Sequence, residues 1–320
     1  MLTLLWGLPG DSPLDAVYQA LQERGSPTVF LDQREIAKIS ISLSVGNTIG
    51  NAITGKIVTP QGIFKLDAIT GVYLRPYDSR RLPFITKAGS ESAIWQHATA
   101  VDEALLSWVE MTSALVLNRP SAMASNNSKP YQLQKIRQAG FLVPDTLVTT
   151  DPDAVYEFWK QHGSVIYKSI SSTRSQVTRL SVEHHQRLAK VAWCPTQFQQ
   201  YIPGQDYRVH VVGEAVFACA IASTADDYRY PNQTTDYPQL KHDVLPLEIE
   251  QQCRQLAATL KLPLAGIDLR QTSKGEWYCF EVNPSPGYTF YQQETHQPIS
   301  FAIAQLLTQS SSDRLAQLQT

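Results

Sequence analysis

The sequence lacks a surplus of charge of either sign: Lys and Arg number 27 and Asp and Glu 29, a formal net charge of −2. A phosphate backbone calls for a positive surface, and no basic run interleaved with aromatics is present, so nucleic acid is not an expected partner. Long apolar runs are missing as well, since no stretch approaches the roughly 20 apolar residues of a membrane span. The opening MLTLLWGLPGDSP has no Lys or Arg ahead of its short apolar run, unlike a signal peptide. The expectation is a cytoplasmic protein with no membrane partner. Cysteine is scarce. Cys194, Cys219, Cys253 and Cys279 show no metal-ligand spacing. They read as small hydrophobes in a reducing compartment. Several catalytic signatures are also absent. The GLPGDS turn at 7–12 is not continued by Gly-Lys-Ser/Thr, which excludes a Walker A loop. There is no His-Glu-x-x-His and no Gly-x-Ser-x-Gly elbow. His184-His185 on an exposed helix and His210 on a strand read as structural. No internal repeat is visible.

What is present is enough apolar material, 43% of residues, for a large core or two to three smaller layers. The opening alternates strand 2–6, helix 14–24 and strand 28–31, the beginning of an α/β layer. Residues 39–66, with Gly46, Gly50, Gly55 and Gly62, read as short hairpins at a sheet edge. A strand follows at 69–74. Ile94, Ala98, Val101, Leu105 and Trp108 recur at three- and four-residue steps and mark a helix over 91–111. Beyond a strand at 115–117, the pattern predicts a helix to Ala139, strand 145–149, helix 153–161 and strand 164–168. A serine-rich loop spans 169–176. The last section reads as strand 196–201, a hairpin 206–212/215–222, a polar loop 223–243, helix 247–260, a second hairpin 264–271/276–283 and a helix 298–308. The expected division is 1–118, 119–194 and 195–310, with a polar tail at 311–320.

Three features carry chemistry. The first is AGIDLRQTSKGEWYCFEVNPSPG, residues 265–287. If the Ser273-Lys274 turn is tight, Thr272 faces Gly275 and Asp268 faces Cys279. Alternation then places Asp268, Glu281 and Asn283 on one face, with the two carboxylates diagonal to one another. A one-residue slip would break the arrangement. Two carboxylates and an amide suit Mg²⁺, a hard ion that takes the rest of its shell from phosphate and water. The alternative is an ordinary hairpin with a wet polar face. The second feature is a pair of lysines. Lys168 ends a strand beside Ser169, Ser171, Ser172 and Thr173, and Lys129 opens a helix. Each is either a phosphate contact or a solvated charge. The third is residues 198–221. Gln200-Tyr201-Ile202 is suited to reading adenine through its backbone. Asp206 and Arg208, two apart, face one side and suit either a ribose and a phosphate or a structural ion pair.

Taken in order, these residues resemble the ATP-grasp superfamily, and RimK-type ligases most closely. The string CPTQFQQYIPGQDYRVHVVG, Tyr73-x-Arg75-Pro76 and Asp227-Tyr228-Arg229 are also similar to the ligases that cross-link microviridin-like peptides, the graspetides. The resemblance covers roughly residues 115–308. It implies an α/β (α+β) ATP-grasp fold: an N-terminal Rossmann-like domain, then two α+β subdomains that sandwich ATP. It further implies that Lys129 and Lys168 contact ATP, that Gln200, Tyr201 and Ile202 form the adenine hinge, and that Asp206 lies on the ribose side. Arg208 and Arg229, with Lys168, would serve the transferring phosphate. Asp268, Glu281 and Asn283 would hold Mg²⁺, as two ions, with Mn²⁺ as a substitute. The implied activity is an ADP-forming ligation of a carboxylate to an amine or hydroxyl through an acyl phosphate, on a peptide or protein side chain. Small-molecule carboxylate–amine ligation and nucleotide binding without turnover are the alternatives, and a homodimer is left open. The chain departs from the family in having no glycine between Lys168 and Leu180, where many members carry a glycine-rich loop. The 223–243 loop has no counterpart beyond Arg229, so acceptor choice is expected there.

Overall fold

The computed structural model describes residues 1–46, 53–170, 177–223 and 237–309. The chain begins with strand β1 (Leu2–Gly7), helix α1 (Ser12–Glu23) and strand β2 (Thr28–Asp32). Asp11 starts α1 by accepting from the Leu14 N–H, and Pro13 fits its first turn. Strands β3 (Ser40–Ser44), β4 (Thr54–Thr59) and β5 (Gly62–Lys65) form a separate three-stranded antiparallel sheet, in keeping with the expected hairpins. Strand β6 (Ile69–Arg75), helices α2 (Pro83–Ala88) and α3 (Ala93–Met111) and strand β7 (Leu115–Leu117) complete the first section. Its main sheet runs β2-β1-β6-β7, all parallel. The apolar stripe of α3, from Ala98 through Val101 and Leu105 to Trp108, packs into the core beside it.

The middle section holds helices α4 (Pro120–Met123), α5 (Lys129–Gln138) and α6 (Pro152–His162), with strands β8 (Thr146–Thr149), β9 (Val165–Ser169) and β10 (Thr178–Arg179). A run of 3-10 turns covers Val182–Trp193. Strand β11 (Thr196–Gln200) lies between β9 and β8, so this sheet runs β10-β9-β11-β8. The middle sheet thus extends past the expected division at 194/195. Phe198 of β11 completes the small core of Val155, Val165, Leu180, Leu188 and Val191, and the chain leaves this sheet only at Pro203-Gly204.

The last section contains β12 (Gln205–Val212), β13 (Ala215–Ala222), β14 (Gln239–Asp243), α7 (Leu247–Thr259), β15 (Leu264–Gln271), β16 (Trp277–Asn283), α8 (Thr289–Thr295) and α9 (Ile299–Thr308). Its antiparallel sheet runs β14-β13-β12-β15-β16. Strand β14 falls inside the segment expected to be loop, where Gln239, Lys241 and His242 give no apolar alternation and edge pairing to β13 supplies the order. Helix α9 is buried between the first and last sections. Its Ile299, Ile303, Ala304 and Leu307 share one core with Leu5, Leu14, Val17 and Tyr73 on one side and Val212 and Leu264 on the other. No helix among the described residues is long and apolar enough to cross a membrane.

Candidate active site

The hairpin β15–β16 positions the acidic residues, and its register differs from the tight-turn expectation. The Thr272 N–H donates to the Glu276 carbonyl, so the connection is one residue longer than expected. Gln271 then faces Trp277 and Leu269 faces Cys279. Carried on without interruption, that register would set Phe280 opposite Asp268. Instead the ladder shifts between Asp268 and Leu269, and Asp268 pairs directly with Glu281. A bulge of this kind sets two residues against one and keeps both on the same side. Phe280 accordingly lies beside Arg270, with its ring centroid 5.2 Å from the guanidinium carbon. Buried Cys279 and Val282, three apart rather than two, hold the opposite face to the core. The two carboxylates are thus direct partners rather than diagonal ones, and Asn283, opposite Gly266, shares their face.

Among the described residues, three ion pairs cross this face. Asp206 receives the Arg270 guanidinium through two hydrogen bonds of 2.6 and 2.8 Å. Asp268 receives Arg208 at 2.6 Å. Glu281 receives Lys129, whose ammonium also reaches the Asn126 amide oxygen at 3.0 Å. Arg208 is buried and lies flat over Gly266. A Cβ at residue 266 would meet its guanidinium at 2.2 Å, so only glycine fits there. The Nε of Arg208 faces the His210 ring at 3.4 Å. Burial, and then the Arg208 charge, hold that imidazole neutral, with its pKa well below the usual value.

Lysine 168 stands on the middle sheet, opposite Gln197. Register puts Ile166, Lys168, Arg179, Gln197, Gln199 and Thr146 on one face, and Tyr167, Phe198 and Leu147 on the other, against the core. Gln197 and Gln199 are each 1% exposed, and neither side-chain oxygen has a hydrogen-bond partner. Orphaned acceptors of this kind call for a ligand or water. In the hinge, the N–H groups of Gln200 and Tyr201 donate to the carbonyls of Asp145 and Ser164, and the Ile202 carbonyl accepts from Arg270 at 2.7 Å. The Ile202 N–H has no backbone partner among the described residues. The Tyr201 ring carries the Arg179 guanidinium at 4.0 Å and that of Arg270 at 5.6 Å. Arg270 thereby ties the hinge to the strand that bears Asp268.

The structure therefore brings Lys129, Asp206, Arg208, Asp268, Glu281 and Asn283 onto one surface, and hooks Tyr201 and Ile202 to it through Arg270. Lys168 and Gln200 belong to the middle sheet. Arg229 and Ser171, Ser172 and Thr173 lie outside the described residues. Among the described residues, no group of three or more His, Cys, Asp and Glu is placed to hold a metal ion by itself. The oxygen set is two carboxylates and an amide, each carboxylate already neutralised by a protein cation. That donor chemistry fits Mg²⁺ arriving with a phosphate. All four cysteines are free. Burial pushes the Cys219 thiol up to about 11 and that of Cys253 to about 12, against a thiolate role for either.

Two buried amides that the sequence reading passed over brace the hairpin. Asn118 donates to the carbonyls of Leu264 and Pro284, at 2.6 and 2.5 Å, and accepts from the Leu264 N–H. Gln132 closes both backbone groups of Val282, at 2.8 and 3.0 Å. A signal for Gln132 existed: it lies one helical turn after Lys129, and residues three apart share a helix face. Arg270 was missed because a strand arginine reads equally well as a surface charge.

Comparison with known proteins gives the family and the fold. Residues 124–307 match the family model of the RimK-like ATP-grasp domain. A glutathione synthetase of Nostoc sp. strain PCC 7120 is 25% identical over 179 residues, 52% of this chain and 53% of that protein. The chain therefore spans about half the length of that relative. The macrocyclase MdnC of Microcystis aeruginosa, bound to its precursor peptide MdnA, is similar in structure, with a TM-score of 0.80 and 24% identity over 97% of this chain and all of that one. The ATP-grasp ligase PsnB, in complex with a minimal precursor, Mg and ADP, matches with a TM-score of 0.75 and 25% identity over 95% of this chain and 96% of that one. With more than half of its length under the family model and the same fold throughout, this chain belongs to the RimK-like ATP-grasp family.

Proposed function

We propose that the chain is an ADP-forming ligase that activates a carboxylate on a peptide and passes the acyl group to a hydroxyl or amine. The observation that carries this reading is the direct Asp268–Glu281 pairing, with Arg208 and Lys129 on the same surface. In the proposed sequence the substrate carboxylate takes the γ-phosphoryl group of ATP, ADP leaves, and the nucleophile displaces phosphate from the acyl phosphate. The chain needs no nucleophile of its own. It needs fixed positive charge where phosphoryl oxygens gather charge. Asp268, Glu281 and Asn283 would hold Mg²⁺, as two ions, which supplies charge neutralisation at the phosphates. Arg208 would hold the moving phosphoryl group, and Lys168 the ATP phosphates from the facing sheet. Lys129 would leave Glu281 for a phosphate oxygen. The Ile202 N–H is the donor left for adenine. Asp206 is held by Arg270, and a ribose contact would share its carboxylate. The peptide preference draws on the similarity to MdnC and PsnB, whose structures hold precursor peptides.

The test is ADP release against candidate acceptor peptides, followed by mass spectrometry. Loss of water from a peptide marks intramolecular cross-linking, and gain of a residue mass marks ligation. Glu281→Gln and Lys168→Ala should each lower turnover by about 10²-fold or more while the chain stays folded. Normal ADP production in both would sink the site assignment. A second reading, ligation of small acids and amines, is favoured by the glutathione synthetase similarity. ADP release on amino acids and short acids without any peptide would select it.

A further inference from the structure

A cavity of about 660 Å³ opens beyond the carboxyl ends of β1 and β6. Leu8, Gly10 and Asp11 after β1, Arg75 and Tyr77 at the end of β6, and Ser285 after β16 are among its lining. The position is not arbitrary. Strand order β2-β1-β6-β7 reverses direction between β1 and β6, and open parallel sheets bind ligands in the crevice at such a point. The volume lies within the usual range of a ligand site. Among the described residues that line it, Arg75 is the one cation. Arg75 gives its Nε–H to Asp11 at 2.7 Å and one terminal nitrogen to the Ser285 hydroxyl and the Pro286 carbonyl, at 2.8 and 3.3 Å. The other terminal nitrogen, with two N–H donors, makes no hydrogen bond to a described residue. The Tyr73 hydroxyl is buried and has no hydrogen-bond partner among the described residues.

We infer that this cavity binds an aliphatic carboxylate of the substrate, received by the free edge of Arg75 and contested by Asp11. This deepens the ligase reading and rests on it: Ser285 follows Asn283 by two residues and donates its N–H to the Asn283 side chain at 2.9 Å, so the cavity adjoins the metal-holding face. A guanidinium with a free side offers the planar donor pair that carboxylates prefer. Asp11 occupies the Nε side. It lowers the net charge of the cavity and weakens any second carboxylate. The carboxylate could belong to a peptide side chain or to a free dicarboxylic acid.

The test is calorimetric titration of the full chain with a blocked tetrapeptide bearing one glutamate, with its glutamine counterpart, and with glutarate. The glutamate peptide or glutarate should bind at least about tenfold more tightly than the glutamine peptide. Which of the two does so identifies the source of the carboxylate. Arg75→Gln should erase the preference. Asp11→Asn keeps the helix cap, because asparagine also accepts the Leu14 N–H, and should strengthen carboxylate binding. A merely structural Arg75–Asp11 bridge predicts the opposite for Asp11→Asn, weaker binding or none. If Arg75→Gln does not fold, Asp11→Asn decides alone. No preference in the unaltered chain, a preference that survives Arg75→Gln, or weakening by Asp11→Asn overturns the inference. A parallel titration with Mg²⁺ and ADP separates the two readings: nucleotide binding without carboxylate preference removes only the inference, and absence of nucleotide binding removes the function itself.

Discussion

Among single residues, His210 makes a prediction that can be signed. It is buried, and its pKa is held well below the usual value by burial and by Arg208. Above about pH 6.5 both folded and unfolded chains carry this imidazole neutral, and it contributes nothing to pH dependence. Below that value the unfolded chain takes up a proton and the folded chain does not, so stability falls as pH falls. The slope reaches about 1.4 kcal/mol per pH unit for one proton. His210→Gln keeps an acceptor for Arg208 and should remove this component between pH 6.5 and 5. Urea unfolding of both chains at three pH values measures it. An equal loss in both would mean that His210 takes up its proton in the folded state.

The hairpin β15–β16 shows, among elements, how far the sequence could be read. Alternation correctly put Asp268, Glu281 and Asn283 on one face. It did not reveal that the turn is one residue longer, or that Phe280 is extra. These two departures add at Glu281: each shifts the register by one, so the residue keeps its face and changes its partner. The compensating signal was the three-residue spacing of Cys279 and Val282, which fits a bulge and not a regular strand. Strand β14 was illegible for another reason: an edge strand owes its order to pairing rather than to an apolar stripe. The outer edge of β16 is covered by Leu142 near Tyr278 and by the Gln132 side chain at Val282. Gln132→Leu would leave two buried backbone groups unpaired, at a cost of about 1–3 kcal/mol each. Denaturant unfolding should show that loss, and amide exchange at Val282 should accelerate. Unchanged stability would mean that water replaces the amide.

On the scale of the whole molecule, the first and last sections are one packing unit through α9. Sequence periodicity identified that helix but gave no sign of its partners, because an amphipathic stripe names the buried residues and not what covers them. The observed core joins Ile303 and Leu307 to Leu5 and Leu14 as well as to Val212. Ile303→Ala should therefore destabilise by about 2–5 kcal/mol. Both sections should then melt together at a lower temperature in calorimetry. A transition that splits, with one section unmoved, would show the two to be separable.

The buried amides have a practical consequence. Asn118 grips the start of β15 and the residue after β16, and Gln132 grips Val282, so the hairpin is clamped at its root. Its opposite end, Ser273 to Glu276, is exposed. Exposed loop tips of small and polar residues are where inserted sequence is best tolerated. The Ser273-Lys274 tip is accordingly the position at which an affinity tag or a fluorophore can be carried without moving Asp268 or Glu281, and from which substrate docking could be followed by light.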